Sequence, residues 1–279
     1  MKAILTIAHL TLHEALRKRV LLAAVLIGAA FLALYAVGFH VLVGGFGRET
    51  GALAVAKHRF VTAFFTLAGL YAANFLVVMS AVLLPLDTLS GEIASGVIQT
   101  VASKPVRRSG IVLGKWIAYA FVVVGYLLAL CCGVIAVSVT FAHYVPPNLG
   151  RGLPLLALEA VALVTLSIAG GTRLGTITNG MLAFGLYTLA FIGGWIEQFG
   201  ALTHNHAAQN VGTVASLIMP TESMWQLAAH HLQPALLAQI SGTPFSPASV
   251  PSPAMVAWTG GWTLLVLLAA LRGFAKRPL

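Results

Sequence analysis

Charge is scarce in this sequence. Of 279 residues only 8% are charged, and the acidic ones number seven. A water-soluble domain carries roughly 25% charged residues, so this chain lacks the polar surface to enclose a core in water. Cysteine is scarcer still, with Cys131 and Cys132 the only two. Neighbouring residues point in different directions on a helix, so no disulfide framework is readable, and both read as small buried hydrophobes. Catalytic motifs are missing too. The nearest string to a Walker phosphate loop, Gly110-Ile111-Val112-Leu113-Gly114-Lys115-Trp116, has one residue too few between its glycines and no following Ser or Thr. There is no His-Glu-x-x-His pair and no Gly-x-Ser-x-Gly elbow. Nucleotide hydrolysis by this chain is not expected, and neither is a cofactor or metal.

What is present is apolar. Hydrophobic residues make up 59% of the chain and mean hydropathy is +0.93. The alternation of a transmembrane β-barrel is absent. Long apolar blocks occur instead, at 20–43, 60–86, 116–142, 153–171, 178–196 and 255–271. About 20 helical residues cross a bilayer, and lipid supplies no hydrogen-bond partners, so each block must be a helix. The expected fold class is an all-α integral membrane protein, a single permease-like domain over 1–279 with six spans. The last block is short and is expected to recruit flanking residues.

The net charge of +9 could suggest nucleic acid, but the cations flank the apolar blocks instead of forming one face. They therefore read as membrane anchors, and no nucleic-acid partner is expected. With the termini inside, the inner segments hold Lys2, Arg17, Lys18, Arg19, Lys104, Arg107, Arg108, Lys115, Arg173, Arg272, Lys276 and Arg277; the outer ones hold Arg48, Lys57, Arg59 and Arg151. This asymmetry predicts N-in, C-in topology. The segment 197–254 has no Lys or Arg, which fits the outside.

Three segments that do not cross carry the specific signals. Residues 1–19 hold an amphipathic helix. Lys2, Thr6, His9, His13 and Arg17 share one face, and Ile4, Leu5, Ala8, Leu12, Ala15 and Leu16 form an apolar side expected in the lipid. Glu14 is placed to pair with Lys18. The inner loop 87–115 predicts a short helix with Ser90 as N-cap and Glu92 in its first turn. Its Ile93, Val97 and Val101 share a face, Lys104-Pro105 stops it, and Ser109 caps the helix that follows. In the outer segment, Pro220-Thr221-Glu222-Ser223 starts a helix, and Trp225 suits a membrane–water boundary. His204, His206, Met219, Met224, His230 and His231 in that segment are copper-type ligands in no recognisable spacing. Within the spans, Glu159 is the one acid, with Asn74 and Asn179 as polar residues of undetermined facing.

The loop resembles the inner loop of the class 2 permeases of ATP-binding-cassette (ABC) transporters. The matching residues are Ser90-Gly91-Glu92, Gly96, Gln99-Thr100, Lys104-Pro105-Val106, Arg108-Ser109 and Gly114-Lys115-Trp116. The opening helix with Arg17-Lys18-Arg19, and Asn179-Gly180 entering the fifth span, are similar to that family as well. Within it the chain is most similar to the branch that includes NosY, a permease associated with maturation of a copper enzyme. The resemblance implies a dimeric exporter core of two identical or paralogous permeases in the bacterial cytoplasmic (inner) membrane. ATP and Mg would reside in a separate cytoplasmic ATPase subunit, and an extracytoplasmic accessory protein is a further partner. It also implies that Ser90, Gly91, Glu92, Ile93, Gly96, Val97, Gln99 and Val101 form a coupling helix against the ATPase. Arg17, Lys18, Arg19, Lys104, Arg107, Arg108 and Lys115 would anchor the inner face to lipid headgroups. Two other classes fit the composition: an ATP-independent carrier with Glu159 as its critical group, and an assembly factor that moves nothing.

Overall fold

A computed structural model describes residues 2–45, 51–96, 107–234, 237, 247 and 249–276. Among these residues every regular element is a helix. They are α1 (Lys2–Arg17), α2 (Arg19–Gly44), α3 (Ala52–Leu83), α4 (Ser90–Ala94) and α5 (Arg108–Ala142), followed by α6 (Leu149–Gly171), α7 (Thr176–Leu202), α8 (His206–Ile218), α9 (Thr221–Leu232) and α10 (Ala254–Ala275). Six of them (α2, α3, α5, α6, α7 and α10) are long and apolar enough to cross a membrane. The protein is a multi-pass membrane protein. Six antiparallel crossings bring both termini to one end of the bundle, called here the basic end.

The centre of the bundle is α6. Its most apolar stretch is 67% buried, against 11% for α2, because α6 packs on α3, α5, α7, α9 and α10. Lipid gives no hydrophobic drive between helices, so association relies on close packing and interhelical hydrogen bonds. Those bonds are present. Asn74 on α3 donates to Glu159 on α6 at 3.1 Å, Trp116 on α5 donates to Thr165 on α6 at 2.7 Å, and the Thr66 and Ser138 hydroxyls meet at 2.8 Å. Peripheral α2 is held where the Tyr126 hydroxyl of α5 donates to the Ala24 carbonyl at 2.7 Å, beside Gly28.

The sequence reading of α1 needs correction. Its stripe of Ala8, Thr11 and Ala15 is buried against protein, while Leu5, Leu10 and Leu16 face outward. Gly110 and Gly114 on α5 leave no side chain between the helices, so Ile4 and Ile7 of α1 settle directly onto them. Part of the apolar surface assigned to lipid is therefore spent on tertiary contact.

The segment after α7 also departs from expectation. Residues 197–202 still belong to α7, and α8 turns back down its side. Any side chain at Gly193 would overlap Ala215, and one at Gly212 would overlap Glu197. The chain reverses at Met219-Pro220 and returns as α9, with Glu222 beside Gly194 and Leu232 beside Gly152 near the start of α6. At 1.5 Å per residue, the step from Leu202 back to Gly194 puts the reversal roughly 12 Å below the end of α7. The α8–α9 pair is thus a re-entrant hairpin, with α8 along the side of α7 and α9 between α6 and α7. Trp225 is accordingly 2% exposed and packs on Tyr71 of α3 with ring centroids 4.9 Å apart, not at a membrane boundary.

Candidate functional site

The densest polar arrangement lies at the basic end, around α4. Backbone bonds Gly91 N→Asp87 O and Ile93 N→Leu89 O start this short helix, and Gly96, at φ +76°, ends it. Leu89 occupies the N-cap position, so the Ser90 hydroxyl is not a cap. It donates back to the Leu86 carbonyl at 3.0 Å and meets the Thr176 hydroxyl at 2.8 Å. Thr176 in turn donates to Asp87 at 3.1 Å, which fastens the start of α4 to the start of α7. Similarly Arg107, not Ser109, precedes α5 at the cap position. Both serines lie one or two positions inside their helices, past the N-cap position.

Thr88 is the hub. Its hydroxyl donates to Tyr119 at 2.5 Å, and Lys18 donates to both the Thr88 hydroxyl at 3.2 Å and Tyr119 at 3.0 Å. Burial alone would lower the Lys18 pKa, but the Tyr119 hydroxyl and the Glu14 carboxylate outweigh it, leaving the ammonium held above its ordinary value. Glu14 and Lys18 form the expected pair at 3.3 Å. On the other side Lys115 donates to the Thr88 carbonyl at 3.3 Å and to Glu92 at 2.5 Å. One residue thus links the α1–α2 junction, α4 and α5.

One residue in this network differs from its sequence assignment. Lys115 is 5% exposed and lies under α4 as the partner of Glu92, not at a lipid surface. Glu92 itself is half-buried, committed to Lys115 and not freely presented. Ile93 packs partly into the core, Gly91 sits where any side chain would collide with the Asp87 carboxyl, and Ala94 and Ser95 are exposed. Arg17, Arg19 and Arg107 are exposed and Arg108 is half-buried. Val97, Gln99, Val101 and Lys104 lie outside the described residues, as does the rest of the face expected to continue from Ile93.

Thr88, Tyr119, Thr176 and Asp87 were not singled out as partners by the sequence. Thr88 and Tyr119 are separated by 31 positions, and neither belongs to a recurrent spacing. An Asp-Thr-x-Ser string at the end of an apolar block was the available signal.

The copper-type residues do not assemble. Met219 and Met224 are buried in the core, and His230 and His231 lie with their rings 5.7 Å apart. Among the described residues no group of three His, Cys, Asp or Glu could hold a metal. Cys131 is buried and Cys132 exposed, both free.

The described residues thus form a six-span helical bundle with a polar, multiply tied loop at its basic end. The chain belongs to the ABC-2 family of transporter proteins, whose family model matches residues 5–279. It is the membrane permease component of an ABC transporter, not the ATPase, and the family implies an ABC ATPase as partner. No curated protein matches the chain.

Proposed function

We propose that this permease couples ATP hydrolysis by a separate cytoplasmic ATPase subunit to export of a substrate, working as a dimer in a bacterial inner membrane. The observation that carries the reading is the bracing of α4. Ser90 and Asp87 tie it to α7, Thr88 to Lys18 and Tyr119, and Glu92 to Lys115. A push on so short a helix reaches α1, α2, α5 and α7 together, which suits a rigid-body change between two states. The basic residues at this end favour the cytoplasmic face by the positive-inside bias. Arg17, Arg19 and Arg107 are the exposed lipid anchors, and the sequence resemblance places the permease in the branch that includes NosY.

The test is Glu92→Arg with the co-expressed ATPase. Loss of co-purification or of substrate-stimulated hydrolysis is expected, and retention of both rejects the coupling role. A second reading, an ATP-independent carrier, has one observation in its favour. Glu159 lies within a span, 1% exposed and bonded by Asn74, and ionisable groups inside a membrane commonly mark transport paths. Full transport with hydrolysis abolished would select that reading.

A further inference from the structure

At the end of the bundle opposite α4, a cavity of about 680 Å³ opens between the start of α6, the end of α9 and the residues leading into α10. Its lining is graded. Arg151, His230 and His231 stand at the mouth, and Leu155, Leu158 and Leu227 lie one to two turns deeper on the same helices. From Arg151 to Leu158 the helix descends roughly 10 Å. Arg151 and His230 are exposed, whereas Leu155 and Leu227 are buried to 8% and 6%.

Among the described residues, the positive charge of Arg151 at the mouth has no acid to neutralise it. Among the described residues no carboxylate forms an ion pair with Arg151, His230 or His231. The acids on the surrounding elements are committed elsewhere. Glu197 of α7 accepts from the Ser249 hydroxyl at 2.8 Å, Glu159 of α6 is bonded by Asn74, and Glu222 of α9 is buried beside Gly194. The His231 pKa is depressed by its partial burial and by the neighbouring His230 and Arg151. A guanidinium and two imidazoles able to donate to a phosphate, set above an apolar slot, match the profile of an anionic amphiphile. They do not match a neutral solute, which leaves the charge uncompensated, or a small soluble anion, which leaves the slot empty.

We propose that this cavity binds an anionic phospholipid from the adjoining leaflet, its phosphate on Arg151, His230 and His231 and its upper acyl chain along Leu155, Leu158 and Leu227. A cavity of this size lies within the usual ligand range of roughly 300–1,000 Å³. The site is independent of the coupling function and exists whether or not the lipid is the cargo.

The experiment is native mass spectrometry of the purified full chain titrated with phosphatidylglycerol or phosphatidylcholine, with inorganic phosphate as competitor. Wild type should retain phosphatidylglycerol over phosphatidylcholine. Each phosphate donor removed (Arg151→Gln, His230→Gln, His231→Gln) should weaken that retention up to about fivefold, the size of one near-surface charge contact. Arg151→Lys should keep most of it, and Leu158→Trp should lose it by filling the slot with the donors intact. Unchanged melting temperatures certify the fold of each variant, and Leu158→Trp carries the test if a donor variant fails to fold. Equal retention of the two lipids, indifference to all these substitutions, or full displacement by inorganic phosphate would overturn the proposal.

Discussion

The Lys115 ammonium lies 2.5 Å from the Glu92 carboxylate, joining a span to the short helix at its foot. Their separation of 23 residues hides the pair in the sequence, where each charge reads alone as an anchor or a docking group. A buried cation needs a partner, because an uncompensated charge in a low-dielectric site costs several kcal/mol. Lys115→Met should therefore be tolerated better than Glu92→Gln, which strands the ammonium. The Glu92→Lys/Lys115→Glu exchange should recover much of the stability. Detergent melting curves of the four proteins check this order.

The same pair should matter for coupling. With the ATPase bound, Lys115→Met leaves α4 attached through Thr88 and Ser90 but free of α5. Basal hydrolysis is expected to persist while transport per ATP falls. Substrate flux and phosphate release measured in one liposome preparation distinguish this from simple unfolding, which lowers both.

The re-entrant hairpin depends on glycine at its contacts. Gly193→Leu places a branched side chain against Ala215, and overpacking of this kind costs about 1–3 kcal/mol. Met219, fully buried at the reversal, reports the outcome. In a Cys-free background, Met219→Cys should resist maleimide, and adding Gly193→Leu should make it reactive. Continued protection would mean that α8 does not pack as described.

Asn74 is the hydrogen-bond donor to the Glu159 carboxyl on the neighbouring helix. Asn74→Leu removes the donor and keeps the volume, leaving a buried carboxyl unsatisfied at a cost of about 1–3 kcal/mol. Adding Glu159→Gln should not restore full stability, since the new amide meets a leucine. Adding Glu159→Leu should restore most of it. Thermal unfolding of the two double variants decides the matter.

At the opposite end, the depressed His231 pKa sets a pH dependence. Without lipid the folded chain resists protonating His231, so this residue costs stability as pH falls through its ordinary value of 6.5. An anionic headgroup favours the protonated form and reverses the sign. Phosphatidylglycerol should raise the melting temperature more at pH 5.5 than at pH 8, and His231→Gln should flatten the difference. An equal lipid effect at both values contradicts it.

The sequence by itself determined the solvent, the helical class and the number of crossings. With 8% charge, six long apolar blocks have no stable form except helices in lipid, and that conclusion needs no partner residues. Local chemistry was legible where it depends on neighbours in the chain, as for the Glu14–Lys18 pair and the start of α9 at Pro220-Thr221. Tertiary structure alone decided which side chains meet across the bundle. The return of α8 down the side of α7 rests on Gly193, Gly200 and Gly212 each admitting a side chain or backbone from the facing helix. Lys115, Trp225 and the apolar face of α1 were assigned to the lipid boundary by their residue types. Lys115, Trp225 and part of the α1 face went to protein, because a distant carboxylate, Tyr71 and two glycines offered closer partners than lipid does. Hydropathy measures the affinity of a segment for a solvent; it does not record which other segment will take that solvent's place.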